Sequence, residues 1–398
     1  MAKLIVVDVA DDTRVPFLRG VLTRSLQDAG LPFEEAYELA SDLRDELSEQ
    51  DEISTEELRD VVSGLLTDRG FGEVVDLFST PRSERATLYV RYELHNVVPF
   101  SKSTLVRSLE ASAAPRDLLY GVAASVENYL LSQSLIEIDS RSLVRITYEH
   151  LLEAAGERSA RRYLRWQEFT DTSRPLILLV GGVTGTGKST ISSLTAHRLG
   201  IIRTQSTDML REVMRRMVPR RLIPSLHESS FMAYQALPKW RREDGTTVEP
   251  QMEDGYLMQA GEVAVSVRGV FERAVQEQVS LAMEGVHLYP ALQTELARSQ
   301  DALVVPSMLA ITKRKALRRQ LAGRGNAVKT RRAERYLEHL DDIWRLQTFL
   351  LSEADVHDVP IITDQDPDEM VRRIMRAIAD RLEEDYEGDP EKVLDKKR

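Results

Sequence analysis

Residues 176–194 read LILLVGGVTGTGKSTISSL: an apolar run, four glycines, a lysine with two hydroxyl residues behind it, and then helical spacing. Gly182, Gly187, Lys188 and Ser189 satisfy G-x-x-x-x-G-K-[ST] directly after an expected strand and before an expected helix. Glycines let the backbone curl so that several N–H groups point inward, and the helix N-terminus adds partial positive charge. The pattern predicts a phosphate-binding loop in which Gly182, Thr184, Gly185, Thr186, Gly187, Lys188, Ser189 and Thr190 hold a nucleotide. Lys188 is expected to reach the outer phosphates, and the Ser189 hydroxyl is placed to ligate magnesium. ATP and Mg2+ are therefore the expected cofactors.

Outward from this loop, apolar runs alternate with amphipathic stretches. Strands are predicted at 176–180, 201–205, 279–283, 302–311 and 359–363, with helices between them. That order argues an α/β fold with a doubly wound, parallel five-stranded sheet over residues 175–383. The first 170 residues read almost wholly as helices, including a Ser54 to Glu57 capping-box pattern. They also repeat. VPFLRGVLTRSL (15–26) aligns with VPFSKSTLVRSL (98–109), and ISTEELRDVVSGLL is matched further on by IDSRSLVRITYEHLL. Two tandem helical modules, 1–85 and 86–170, are expected, with a linker at 169–175 and a charged, disordered tail at 384–398.

A phosphate cradle alone does not separate a hydrolase from a kinase. The next predicted strand ends in RTQSTDMLREVMRRM (203–217), where Asp208 sits at the strand tip. At 100° per residue Asp208, Arg211 and Arg215 share one stripe, and Leu210, Val213, Met214 and Met217 the opposite, core-facing one. The arginines could hold an anionic acceptor while Asp208 accepts a hydroxyl proton. An N-cap followed by solvated arginines is the alternative. Glu284 ends the third predicted strand and could assist magnesium through its water shell. His287, close behind it, either touches a phosphate or is a buried histidine bonded to backbone.

Residues 311–335 hold ten Lys or Arg against one Glu in a chain of net charge −11. Beside a phosphate site this segment reads as a mobile lid around a GRGN turn, with Arg318, Arg319 and Arg324 the residues expected to meet phosphates. The overall acidity opposes binding of long nucleic acid, and the cluster alone would be a weak exception. With no cysteine, disulfides and thiolate metal sites are excluded. No leader-like start or membrane-length apolar run is present, so a cytoplasmic location is expected.

The blocks GGVTGTGKSTIS, STDMLREVMR, PSLHESSF, YLMQAGEVAVSVRGVFERAV, AMEGVHLYP and RYLEHLDDIWRLQTFLL, in this order over about 175–365, resemble the 2-phosphoglycerate kinase family of the P-loop kinases. The resemblance implies transfer of the ATP γ-phosphoryl group to the 3-hydroxyl of 2-phosphoglycerate. It makes Lys188 and Ser189 nucleotide and magnesium contacts and Asp208 the base or hydroxyl anchor. Arg211, Arg215, His227, Ser229 and Ser230 become candidates for the acceptor's phosphate and carboxylate. Other anionic hydroxyl acceptors, or nucleotide sensing without transfer, are the alternatives. The N-terminal repeats resemble ATP-cone modules. VDVADDTR stands before the first Val-Pro-Phe, however, and its acids would repel a triphosphate. A scaffold or a surface for homo-oligomer formation is the expected role of these repeats.

Overall fold

The computed structural model describes residues 4–8, 13–47, 50–79, 88–92, 96–133, 135–241, 247–327, 331–363 and 366–394. Two compact units emerge: Met1–Val106 with Asp117–Ala154, and Arg107–Arg116 with Ala155–Arg398.

The first unit is less helical than its sequence suggests. It runs β1 (Ile5–Asp8), β2 (Thr13–Pro16), α1 (Arg19–Asp28), α2 (Phe33–Glu46), β3 (Glu52–Ser54), α3 (Thr55–Asp68) and α4 (Gly72–Ser79). The order then returns as β4 (Tyr89–Arg91), β5 (Val97–Pro99), α5 (Lys102–Glu110), α6 (Arg116–Ser132), β6 (Glu137–Asp139) and α7 (Ser140–Thr170). Each stretch closes a three-stranded sheet, β2-β1-β3 and β5-β4-β6, with one antiparallel and one parallel pair. The region is mostly helical, and the two small sheets are what the helical reading missed: strands of three or four residues are too short to show a period of two. At the head of α3 the capping box forms, with Ser54 Oγ accepting from Glu57 N–H and the Glu57 carboxylate accepting from Ser54 N–H. Leu26, Leu39, Leu43, Val62 and Leu66 are fully buried beneath these helices.

Helix α7 is broken at Gly156, whose backbone (φ 76°, ψ 172°) is not helical. One of the divisions between the units falls beside it, at 154/155.

The second unit continues with β7 (Leu176–Gly181), α8 (Lys188–Leu199), β8 (Arg203–Ser206), α9 (Thr207–Met217), a hairpin of β9 (Trp240–Arg241) and β10 (Thr247–Val248), and α10 (Met252–Gln276). After these come β11 (Leu281–Gly285), α11 (Pro290–Ala297), β12 (Leu303–Leu309), α12 (Arg314–Ala327), α13 (Arg331–Glu338), α14 (Leu340–Val356), β13 (Ile361–Ile362), α15 (Pro367–Asp385) and α16 (Pro390–Leu394). The sheet order is β13-β12-β7-β11-β8, every pair parallel. All six residues of β7 are buried, because helices cover both faces. Leu176, Leu178 and Val180 pack with α8 and α15, and Ile177 and Leu179 with α10 and α11. From β7 the chain crosses first to β8 on one side and, after β11, to β12 on the other. The strand ends flanking this switch point are where such sheets bind ligands.

The tail also departs from expectation. Tyr386 meets Phe169 edge-on at 6.1 Å, Gly388 N–H donates to Glu168 at 2.8 Å, and α16 follows; residues 395–398 lie outside the described residues.

Candidate active site

The loop between β7 and α8 curls through three glycines of positive φ, Gly182 (135°), Gly185 (95°) and Gly187 (86°). A Cβ on Gly182 would stand 2.5 Å from the Leu309 carbonyl, so the loop can press against β12 only as glycine. Nothing lies within 4 Å of the same position on Gly187, which faces open space at the head of α8. Lys188 is buried, its ammonium donating to Val183 O at 2.9 Å. The Thr186 hydroxyl donates to the same carbonyl at 2.9 Å. Ser189 Oγ donates to Glu284 Oε1 at 3.1 Å, so the loop's first helical hydroxyl and the tip of β11 meet.

A cleft of about 170 Å3 opens beside the loop. Gly185, Thr186, Gly187 and Thr190 form one side; Ile311, Ala316, Arg319, Pro367 and Met370 contribute to the rest. Of the lid arginines, Arg319 reaches this cleft and Arg318 is exposed without lining it. Arg324 lies on α12, and its side chain is outside the described residues. The GRGN stretch is helical rather than a turn, within α12. That helix is anchored by Leu317 and Leu321, both fully buried, whose methyl groups close on Gly185.

On the other side of the loop, Asp208 occupies the first turn of α9 with its carboxylate 58% exposed. It points outward, not into the interior. Arg211 Nε lies 3.9 Å from Asp208 Oδ1, and Arg211 Nη1 donates to Leu226 O and Glu228 O, both at 3.0 Å. Asp208 and Arg211 thus stand together as the helical stripe requires. Arg215 turns instead to Glu212 at 3.1 Å. The apolar stripe holds only in part: Leu210 and Met214 pack on the core, whereas Val213 and Met217 are exposed. Met217 ends the helix, and Val213 lies at the margin of the stripe.

The PSLHESSF block folds under α9. His227 Nε2 pairs with Val218 O at 3.0 Å, which ties its ring to backbone. Ser229 is half-buried, and Ser230 is buried with Oγ 3.3 Å from His287 Nε2. His287 is fully buried, yet its partners are side chains rather than backbone: Thr207 Oγ1 at 3.0 Å from Nδ1 and Gln259 Oε1 at 3.2 Å from Nε2. The sequence offered a signal for His287 in its place behind a strand tip. For Thr207 and Gln259 it offered none, since a lone Thr or Gln within a helical pattern looks like any polar position.

Burial pushes the His287 pKa down to about 4; the Asp208 charge opposes this, and Arg211 and Lys188 add to it. An unfolded chain protonates this ring near its ordinary 6.5, the folded chain only near 4. Its contribution is complete above pH 6.5 and is lost as pH falls toward 4. Between pH 7.5 and 5 the ring alone should lower the unfolding free energy by about 2 kcal/mol. Glu110 and Glu262, whose carboxyl pKa values burial raises, act in the opposite sense. Urea unfolding at the two pH values should show the loss in the wild type and not in His287→Gln.

Magnesium fits these donors. Ser189 Oγ and the Glu284 carboxylate are hard oxygens of the kind magnesium takes, Glu284 through its water shell; among the described residues no group of three or more His, Cys, Asp or Glu could hold a metal.

The chain is 33% identical over 287 residues to the 2-phosphoglycerate kinase of Pyrococcus furiosus, a match covering 72% of this chain and 91% of that protein. It is 34% identical over 290 residues to the 2-phosphoglycerate kinase of Methanopyrus kandleri, covering 72% and 86%. With that of Methanocaldococcus jannaschii it shares 32% over 285 residues, covering 72% and 89%. No family model matches the chain.

Proposed function

The chain belongs to the 2-phosphoglycerate kinase family, and from that premise we propose that it transfers the γ-phosphoryl group of ATP to the 3-hydroxyl of 2-phosphoglycerate, giving 2,3-bisphosphoglycerate and ADP. The protein is a phosphotransferase. The observation that carries the reading is that the glycine-curled loop of Lys188 and Ser189 meets Glu284 at the tip of β11, which pairs in register with Ser206, two residues before the outward Asp208 carboxylate.

In the reaction the acceptor oxygen attacks the γ-phosphorus, the bond from phosphorus to the β-bridging oxygen breaks, and the hydroxyl proton passes to Asp208. Loop N–H groups and Lys188 hold the phosphates, and Arg319 adds charge from the cleft wall. Ser189 would hold magnesium, with Glu284 assisting through water, and the ion would supply positive charge against the phosphates. The apolar side chains of Ile311, Ala316 and Met370 suit a flat base at the far end of the cleft. Arg211, fixed by two carbonyls, offers its remaining donors to the acceptor's phosphate or carboxylate with Ser229 and Ser230. Arg215 and His227, engaged elsewhere, would have to leave Glu212 and Val218 to join them.

Residues 1–85 are read as a cone-like module and 86–170 as a second, degenerate one, a reading their matching sheets support, and together as a route to homo-oligomers. Among the described residues no helix is long and apolar enough to cross a membrane; the preference for a small-molecule acceptor over long nucleic acid rests on the net charge of −11. ADP release should require 2-phosphoglycerate and magnesium together, with phosphate found on O3 of the product. Release that is equally fast with 3-phosphoglycerate or glycerate would overturn the acceptor assignment. Adding dATP to the same assay tests the modules for nucleotide sensing.

A further inference from the structure

Hydrogen-bond arithmetic fixes every proton around His287. Gln259 Nε2 donates to Ser225 O at 2.6 Å and to Glu228 O at 3.0 Å, which uses both of its hydrogens. Gln259 Oε1 is therefore the end facing the ring, and it can only accept. His287 Nε2, 3.2 Å away, must carry the hydrogen. Ser230 Oγ lies 3.3 Å from the same nitrogen and shares that hydrogen as an acceptor. Its own proton is then directed away from the ring.

The opposite edge follows from charge. Buried and neutral, the imidazole has a bare Nδ1, so the Thr207 hydroxyl at 3.0 Å donates to it. The chain makes room for this contact. A Cβ on Gly285 would come within 1.8 Å of Thr207 Oγ1, so only glycine admits the hydroxyl there. Thr207 opens α9 and directly precedes Asp208; Ser230 closes the segment that carries the Arg211-binding carbonyls.

We propose that His287 is a positioning residue with two separable edges: Nδ1 sets the first turn of α9 and hence the direction of the Asp208 carboxylate, while Nε2 makes Ser230 a hydrogen-bond donor dedicated to the anionic acceptor. This rests on the phosphoryl-transfer reading above. The two edges serve different kinetic parameters. Aiming Asp208 matters for the chemical step, and offering the Ser230 hydrogen matters for holding the acceptor.

Two substitutions divide the ring. His287→Asn keeps an oxygen near the former Nδ1 for Thr207 and removes the Nε2 hydrogen. His287→Gln carries an amide out to the Nε2 position and removes the Nδ1 acceptor. For the Asn variant the acceptor KM should rise by roughly 10-fold with kcat changed less than about 3-fold; for the Gln variant kcat should fall by roughly 10-fold or more with the acceptor KM nearly unchanged. The KM for ATP should stay constant in both. Ser230→Ala should reproduce the first effect and add nothing to His287→Asn, and Thr207→Val should reproduce the second; both leave the ring in place if the His287 variants fold poorly. Parallel loss of kcat and KM in all four, or additivity of Ser230→Ala with His287→Asn, would mean that the ring only stabilises the fold and would overturn the proposal. A wild-type protein that fails to turn over 2-phosphoglycerate sinks the underlying reading instead, so the two failures are distinct.

Discussion

Lys188→Ala should lower kcat by roughly a thousandfold or more while leaving the fold intact. Transfer of a phosphoryl group spreads negative charge over its oxygens, and catalysis is largely the stabilisation of that charge by donors already in place. Lys188 is buried at the head of α8 with its stem fixed by the loop. Its ammonium is thus held in position before any phosphate arrives and works in a low dielectric, where loss of one donor is worth about 3–4 kcal/mol or more. The loop should survive the change. Its curl comes from the glycines at 182, 185 and 187, and the Val183 carbonyl that Lys188 bonds is also bonded by the Thr186 hydroxyl at 2.9 Å. The Val183 carbonyl keeps the Thr186 hydroxyl as its donor, so the urea midpoint should move little. ADP release in saturating substrates measures the first part and urea unfolding the second. An active Lys188→Ala protein would remove the basis for phosphoryl transfer at this loop.

The parts of this site that the sequence announced are those whose geometry is local. Four residues in eight positions specify the Lys188 loop, because its shape depends on glycine φ values and on one helix start. Strand β7 was equally visible, since burial on both faces demands an unbroken apolar run. The short strands of the N-terminal sheets were hidden for the opposite reason: TRVP or EID is no different from a loop until a partner strand is beside it. The GRGN stretch reads as a turn on composition, yet Leu317 and Leu321 pin the helix to Gly185 and carry it through both glycines. Gln259 shows the other limit. It lies 28 residues from His287 in sequence and bonds it through a tertiary contact with no spacing rule behind it. A chemically decisive group of that kind becomes legible only when the fold has brought its partners together.

Asp208→Asn should lower kcat by about 10²- to 10³-fold with both KM values within a few-fold of wild type, the loss expected when a positioned proton acceptor is removed. Asparagine keeps the shape of the side chain and its place in the first turn of α9, and Thr207 still bonds His287. Arg211 has little reason to move: its Nη1 is bound to the Leu226 and Glu228 carbonyls, and its distance of 3.9 Å from Asp208 Oδ1 is that of a loose ion pair rather than a hydrogen bond. The acceptor's anionic groups should therefore still be held while its hydroxyl loses its base. Asp208→Glu provides the contrast. It restores the carboxylate one methylene out of place and should recover part of kcat, since positioning as well as basicity sets the rate. If Asp208→Asn instead raised the acceptor KM and spared kcat, Asp208 would be an anchor for the hydroxyl and not its base. Because the carboxylate is more than half exposed, water can reach it in the free protein. Efficient transfer then requires the acceptor to displace that water, so the ratio of ATP hydrolysis to transfer in the Glu variant should rise above that of the wild type.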